Sequence, residues 1–79
     1  MAYYPVYLNL QGKRCVVVAG GVIGEEKVSR LLKCGAEVVV ISRNVTDSVK
    51  ELEVRGKLVW LRREYQPGDL KGAVIAIAT

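Results

Sequence analysis

The chain has 79 residues, of which 51% are hydrophobic and 25% charged, with a formal net charge of +4, two cysteines and no histidine. That balance excludes a disordered segment, because the apolar surface is enough to offset chain entropy, and the length supports one core only. No apolar run approaches the roughly 18 residues of a membrane span, the N-terminus lacks the charged-then-apolar order of a secretory signal, and Cys15 and Cys34 stand outside any metal-binding spacing. The expectation is a soluble, cytoplasmic protein with two buried, reduced thiols.

The positive charge is scattered. Lys13-Arg14 and Arg62-Arg63 are too short, and aromatic residues too few, for a nucleic-acid footprint. A basic surface of this kind is a solvated face or one suited to an anionic small molecule.

In chain order, Met1 to Gly12 contains Tyr3-Tyr4-Pro5-Val6-Tyr7-Leu8-Asn9-Leu10, which alternates only partly and carries a proline, so an N-terminal edge segment is expected. Arg14 to Ala19 then has the continuous β-branched character of a strand buried on both faces. Val22 to Cys34 has helical period: Val28, Leu31 and Leu32 share a face with Gly24, while Glu25, Glu26, Arg30 and Lys33 point elsewhere, and Gly35 ends the helix. Glu37 to Ile41 is a second strand. Thr46-Asp47-Ser48 supplies capping side chains for a short helix through Val49, Leu52 and Val54 that stops at Gly56. Leu58 to Leu61 and Ala73 to Ala78 are the third and fourth strands, joined by a link from Arg63 to Gly72 whose Pro67-Gly68 permits little more than a turn. Right-handed crossovers give a parallel sheet of order 3-2-1-4 in a three-layer α/β unit that spans residues 1–79 as one domain and stops after its fourth strand.

The turn after the first strand carries the chemistry. A dinucleotide site needs a sharp turn out of the strand, a point free of side chain where backbone meets pyrophosphate, and a small residue where the helix packs on the strand. Ala19, Gly21 and Gly24 fill those places, with Gly20 adding freedom, and the free N–H groups of the following helix suit phosphate. The fold class is therefore Rossmann-type. Ala19 and the nearby Glu25 and Glu26 keep a second reading open, a tight strand-helix turn that binds nothing. Where the second strand ends, an acidic residue usually takes the ribose hydroxyls of NAD. This chain has Ser42-Arg43-Asn44; Arg43 could meet the 2′-phosphate of NADP, lie over the adenine, or face solvent. Asp47 reads as a helix cap, Trp60 as packing and Lys27 as a surface partner for neighbouring carboxylates. No carboxylate, lysine, tyrosine or cysteine forms an evident catalytic pair, so the residues indicate binding and no reaction.

Taken together, Tyr4-Pro5-Val6-Tyr7-Leu8-Asn9-Leu10 leading into Gly12-Lys13, Val16 to Gly21 with Lys27, the helix running to Cys34-Gly35-Ala36, and Ile77-Ala78-Thr79 resemble the N-terminal domain of the sirohaem synthase family, the precorrin-2 dehydrogenase/sirohydrochlorin ferrochelatases. The opening Tyr-Pro-hydrophobic segment is more specific than the glycine turn, since most dinucleotide domains lack it. The resemblance implies NAD-dependent oxidation of precorrin-2 to sirohydrochlorin, with iron insertion in bifunctional members. It also implies that backbone around Gly20, Gly21, Val22 and Ile23 holds the pyrophosphate, that Ser42, Arg43 and Asn44 border the adenosine, and that Ala78-Thr79 lies beside the nicotinamide. NAD is expected ahead of NADP. The tetrapyrrole, rich in carboxylates, would be a partner of the full-length enzyme only, a homodimer is allowed, and neither nucleic acid nor membrane is expected.

The chain departs from the family at Ala19, usually glycine, at Glu26, usually basic, and at Arg43, often proline. The family's proposed catalytic aspartate falls just after the position of Thr79, so no turnover is expected from this chain alone. The alternative class is a regulatory module that senses NAD(H) without catalysis.

Overall fold

A computed structural model describes residues 2–18 and 21–78, the backbone alone over 21–23. The elements run β1 (Arg14–Val18), α1 (Gly21–Lys33), β2 (Glu37–Ile41), α2 (Asp47–Val54), β3 (Val59–Leu61) and β4 (Ile75–Ala78). All pairings are parallel and the order is β3-β2-β1-β4, as the crossover rule requires. Val16 stands opposite Val39 on one side and Ala76 on the other, so β1 is hydrogen-bonded along both edges.

Period-two alternation sorts the β-branched residues into two cores. Cys15, Val17, Val38 and Val40 point to one face, where Val28 and Leu31 of α1, Val49 of α2, Leu10 and Leu58 close over them. Val16, Val39 and Ile41 point to the other, where Val18, Leu61 and Ala73 pack against them. Each fully buried valine contributes on the order of 1.5–3 kcal/mol, so these short central strands supply much of the stability of a small domain.

Both helices serve the first face. The second is crossed by the link from β3 to β4, with the Arg14 guanidinium donating from Nη2 to the carbonyl of Asp69 at 3.1 Å. The third layer is thus a loop where a larger relative of the fold would have a helix.

Element ends differ from the sequence reading by a residue or two, each for a local reason. Helix α1 stops at Lys33 because the N–H of Ala36 returns to the carbonyl of Leu31 and that of Gly35 to Leu32, the paired bonds of a Schellman cap, with Gly35 at φ 78°. A side chain at Gly35 would also strike Gln11. Cys34 lies within this turn and is exposed, which corrects the expectation of two buried thiols. Cys15 is buried, and burial pushes its thiol up. Strand β4 begins at Ile75, because Ala73 closes a turn onto the carbonyl of Leu70. The N-cap of α2 is Thr46, whose Oγ1 accepts from the N–H of Val49 at 3.3 Å; Asp47, expected as a cap, occupies the first helical position.

Residues 2–9 form no strand, and Tyr3, Tyr4, Val6, Tyr7 and Leu8 are exposed. Leu10 is the residue of this segment that enters the core. Pro5 has no N–H to offer a ladder, which suits a segment outside the sheet.

Candidate functional site

All four strands end on one side of the sheet, and the sense of the strand order reverses at β1: β2 and β3 lie to one side, β4 to the other. That reversal makes the carboxyl end of β1 the crevice where parallel α/β sheets accept ligands. The chain leaves β1 at Val18 and enters α1 at Gly21, so the amino end of a 13-residue helix opens directly on this crevice. Of the expected phosphate-binding residues, Gly20, like Ala19 before it, lies outside the described residues. Gly21, Val22 and Ile23 form the first turn of α1. Gly24 is buried, as expected of the small residue where helix meets strand.

The acids nearest this helix end, Glu25 and Glu26, stand in its second turn. No acidic residue occupies the first turn, and Glu26 pairs with Arg30 one turn further on at 2.9 Å. Lys27, expected to partner such a carboxylate, is half-buried and forms no ion pair among the described residues.

The loop after β2 is fixed from several directions. The Ser42 N–H donates to the carbonyl of Leu61, Ser42 Oγ donates to the carbonyl of Asn44 at 2.7 Å, and Asn44 N–H returns to Ser42 Oγ at 3.3 Å. From β3, the indole N–H of Trp60 donates to the carbonyl of Ser42 at 2.8 Å, so Trp60 packs on the core and also ties down this loop. The sequence reading found the packing and missed the hydrogen bond, which joins residues far apart in the chain.

Arg43 projects from the loop and meets Glu64 at 3.3 Å. The two line an open cleft with Arg62, Arg63 and Gln66 at the carboxyl ends of β2 and β3. Arg62 places its guanidinium 5.4 Å from the centre of the Trp60 ring. On the opposite side of the crevice, a second cleft lined by Val18, Tyr65, Leu70, Ala76, Ile77 and Ala78 is mainly apolar. Thr79, expected next to it, lies outside the described residues. One charged and one apolar cleft therefore flank the end of β1.

A half-buried clamp holds the link that separates these clefts. Asp69, 9% exposed, accepts two hydrogen bonds from Arg63, at 2.7 and 2.8 Å, and one from the N–H of Gln66 at 2.6 Å. The Arg63 bond first, and then the Gln66 N–H, hold its carboxyl at about 2, against an ordinary 3.8, while burial pulls weakly the other way. A depressed carboxylate pKa adds stability that is complete above the unfolded value and is lost as pH falls from about 4 toward 2. Acid titration of the unfolding midpoint should show that loss, and Asp69→Asn should flatten it. An acid limb of equal depth in the variant would mean that other carboxylates control it.

Among the described residues no three His, Cys, Asp or Glu side chains converge as a metal site, and no helix is long and apolar enough to cross a membrane.

Comparison with known proteins agrees with this geometry. Residues 6–79 match the family model described as "Putative NAD(P)-binding". Relatives named "Siroheme synthase" from Neisseria meningitidis (serogroup B strain MC58) and Methylobacillus flagellatus are 35% and 36% identical over 99% of this chain, which spans 16% and 17% of their respective lengths. The solved structure titled "SirC, precorrin-2 dehydrogenase" superposes with a TM-score of 0.91 at 28% identity, over 98% of this chain and 39% of that one. The chain thus covers well under half of the proteins it is similar to.

Proposed function

The chain belongs to the NAD(P)-binding family that forms the N-terminal domain of sirohaem synthases, and on that premise we propose that it holds NAD for the oxidation of precorrin-2 to sirohydrochlorin. The observation that carries this reading is the amino end of α1, free of acidic residues in its first turn, opening on the strand-order reversal with the buried Gly24 beneath it. Backbone N–H groups at Gly20, Gly21, Val22 and Ile23 take the pyrophosphate. Ser42, Arg43 and Asn44 border the adenosine, the apolar cleft lined by Ala78 receives the nicotinamide, and Thr79 is assigned to the same end of the cofactor.

Bound NAD supplies the hydride acceptor; this chain's residues bind it, orient it and present its nicotinamide end beside β4. NAD is favoured over NADP because the arginine that could meet a 2′-phosphate already faces a carboxylate. The tetrapyrrole is a partner of a full-length enzyme of the family, and no turnover is expected from this chain alone. A cytoplasmic location and a single domain over residues 1–79 are part of this reading, with residues 1–12 as an appended N-terminal segment.

Titration with NAD and NADP, followed through the backbone amide shifts, tests it. Residues 20–24 and 42–44 should move together, and more with NAD. Shifts at neither loop with millimolar cofactor would leave a fold without a cofactor.

A further inference from the structure

Resting on the dinucleotide reading, we propose that Glu64 selects NAD over NADP by holding Arg43 in an ion pair across the mouth of the adenosine cleft. The position just past the second strand decides this selectivity in dinucleotide folds: an acidic side chain there accepts from the ribose 2′-hydroxyl, whereas an arginine meets a 2′-phosphate. Here that position carries arginine, which read alone favours NADP. The structure brings an acid to it from a different strand.

Glu64 lies three residues beyond β3, and its Oε1 stands 3.3 Å from Arg43 Nη2. The remaining charges of the cleft are otherwise engaged. Arg63 is committed to Asp69 by two short hydrogen bonds, and Arg62 lies against the Trp60 ring. Glu64 is the acid that lines the cleft, and it faces Arg43.

Both partners stand on pinned backbone. The Arg63 Nη1 that reaches Asp69 also donates to the carbonyl of Glu64 at 3.0 Å, and the Arg43 loop is held by Ser42, Asn44 and Trp60. The pair itself is exposed and contributes little to folding stability, so its conservation of geometry comes from these anchors and its removal leaves the fold intact. Its effect falls on the ligand. The carboxylate offsets the guanidinium charge, supplies an acceptor for ribose hydroxyls that the end of β2 lacks, and repels a phosphate dianion.

Calorimetric titration of the chain and its Glu64→Gln variant with NAD and with NADP, at low and at high salt, decides the matter. The variant should raise the NADP-to-NAD affinity ratio roughly tenfold at low salt, and the gain should shrink as salt screens the freed arginine. Adding Arg43→Gln should return the ratio toward that of the unsubstituted chain. If the unsubstituted chain binds NAD and Glu64→Gln leaves the ratio unchanged or lowers it, Glu64 has no part in selectivity and the dinucleotide reading stands. If the unsubstituted chain binds neither cofactor, both fall.

Discussion

Replacing Leu31 by alanine is expected to lower the stability of the domain by about 3 kcal/mol, the middle of the range for truncating a buried leucine. Leu31 is 6% exposed and lies where α1 closes on Cys15, Val17, Val38 and Val40, with Ala36 in the same cluster. Its carbonyl accepts from both Cys34 and Ala36, so the site is tied to the helix cap and cannot easily collapse around the lost side chain. A domain of this size holds only roughly 4–12 kcal/mol in total, and each kcal/mol is worth about 4–8 °C of melting temperature. Thermal unfolding followed by circular dichroism should therefore show a midpoint lower by about 15 °C. A fall of only about 1–2 °C would mean that α1 is not seated on β1 and β2 as described.

The second large effect separates binding from folding. Gly21→Asp places a carboxylate in the first turn of α1, where a negative charge suits the helix dipole by about 0.3–1 kcal/mol. The melting temperature should hold or rise slightly. The same charge stands where the dinucleotide pyrophosphate is proposed to sit, and like charges at such a contact cost several kcal/mol, so NAD affinity should fall about a hundredfold. Unchanged affinity in a folded variant would move the phosphate site away from the amino end of α1. Loss of folding together with binding would show instead that Gly21 serves the backbone path out of β1.

These effects rest on parts of the protein that differ in how openly the sequence displays them. The four strands and their order are legible because apolar, largely β-branched stretches of four to six residues, separated by connections of readable length, leave few right-handed arrangements. Helix ends are less so, since the Schellman turns at Gly35 and Gly56 absorb residues whose side chains still fit a helical pattern; Cys34 looks like one more helical position and is in fact an exposed turn residue. The glycine turn announces a phosphate site by spacing, whereas the adenosine end does not. Arg43 is ambiguous in the sequence because its charge is answered by Glu64, and the Asp69 clamp is invisible because Arg63 and Asp69 stand at a spacing that no regular element predicts. Side chains that meet through the sheet topology become readable only after the topology is known.

The placement of β1 between β2 and β4 also governs how the chain acquires its shape. Val16 pairs with Val39 after one helix has closed, but its other neighbour, Ala76, arrives only after α2, β3 and the whole return link. Closing so wide a loop costs entropy before any contact rewards it, which slows folding relative to proteins built from neighbouring contacts. During synthesis the β1-α1-β2 portion can assemble while one edge of β1, whose Cys15, Val16 and Val17 end fully buried, stays unsatisfied. For that interval Cys15 to Val18 form an open template for any extended apolar segment nearby, so yield on expression should depend on how quickly β4 follows.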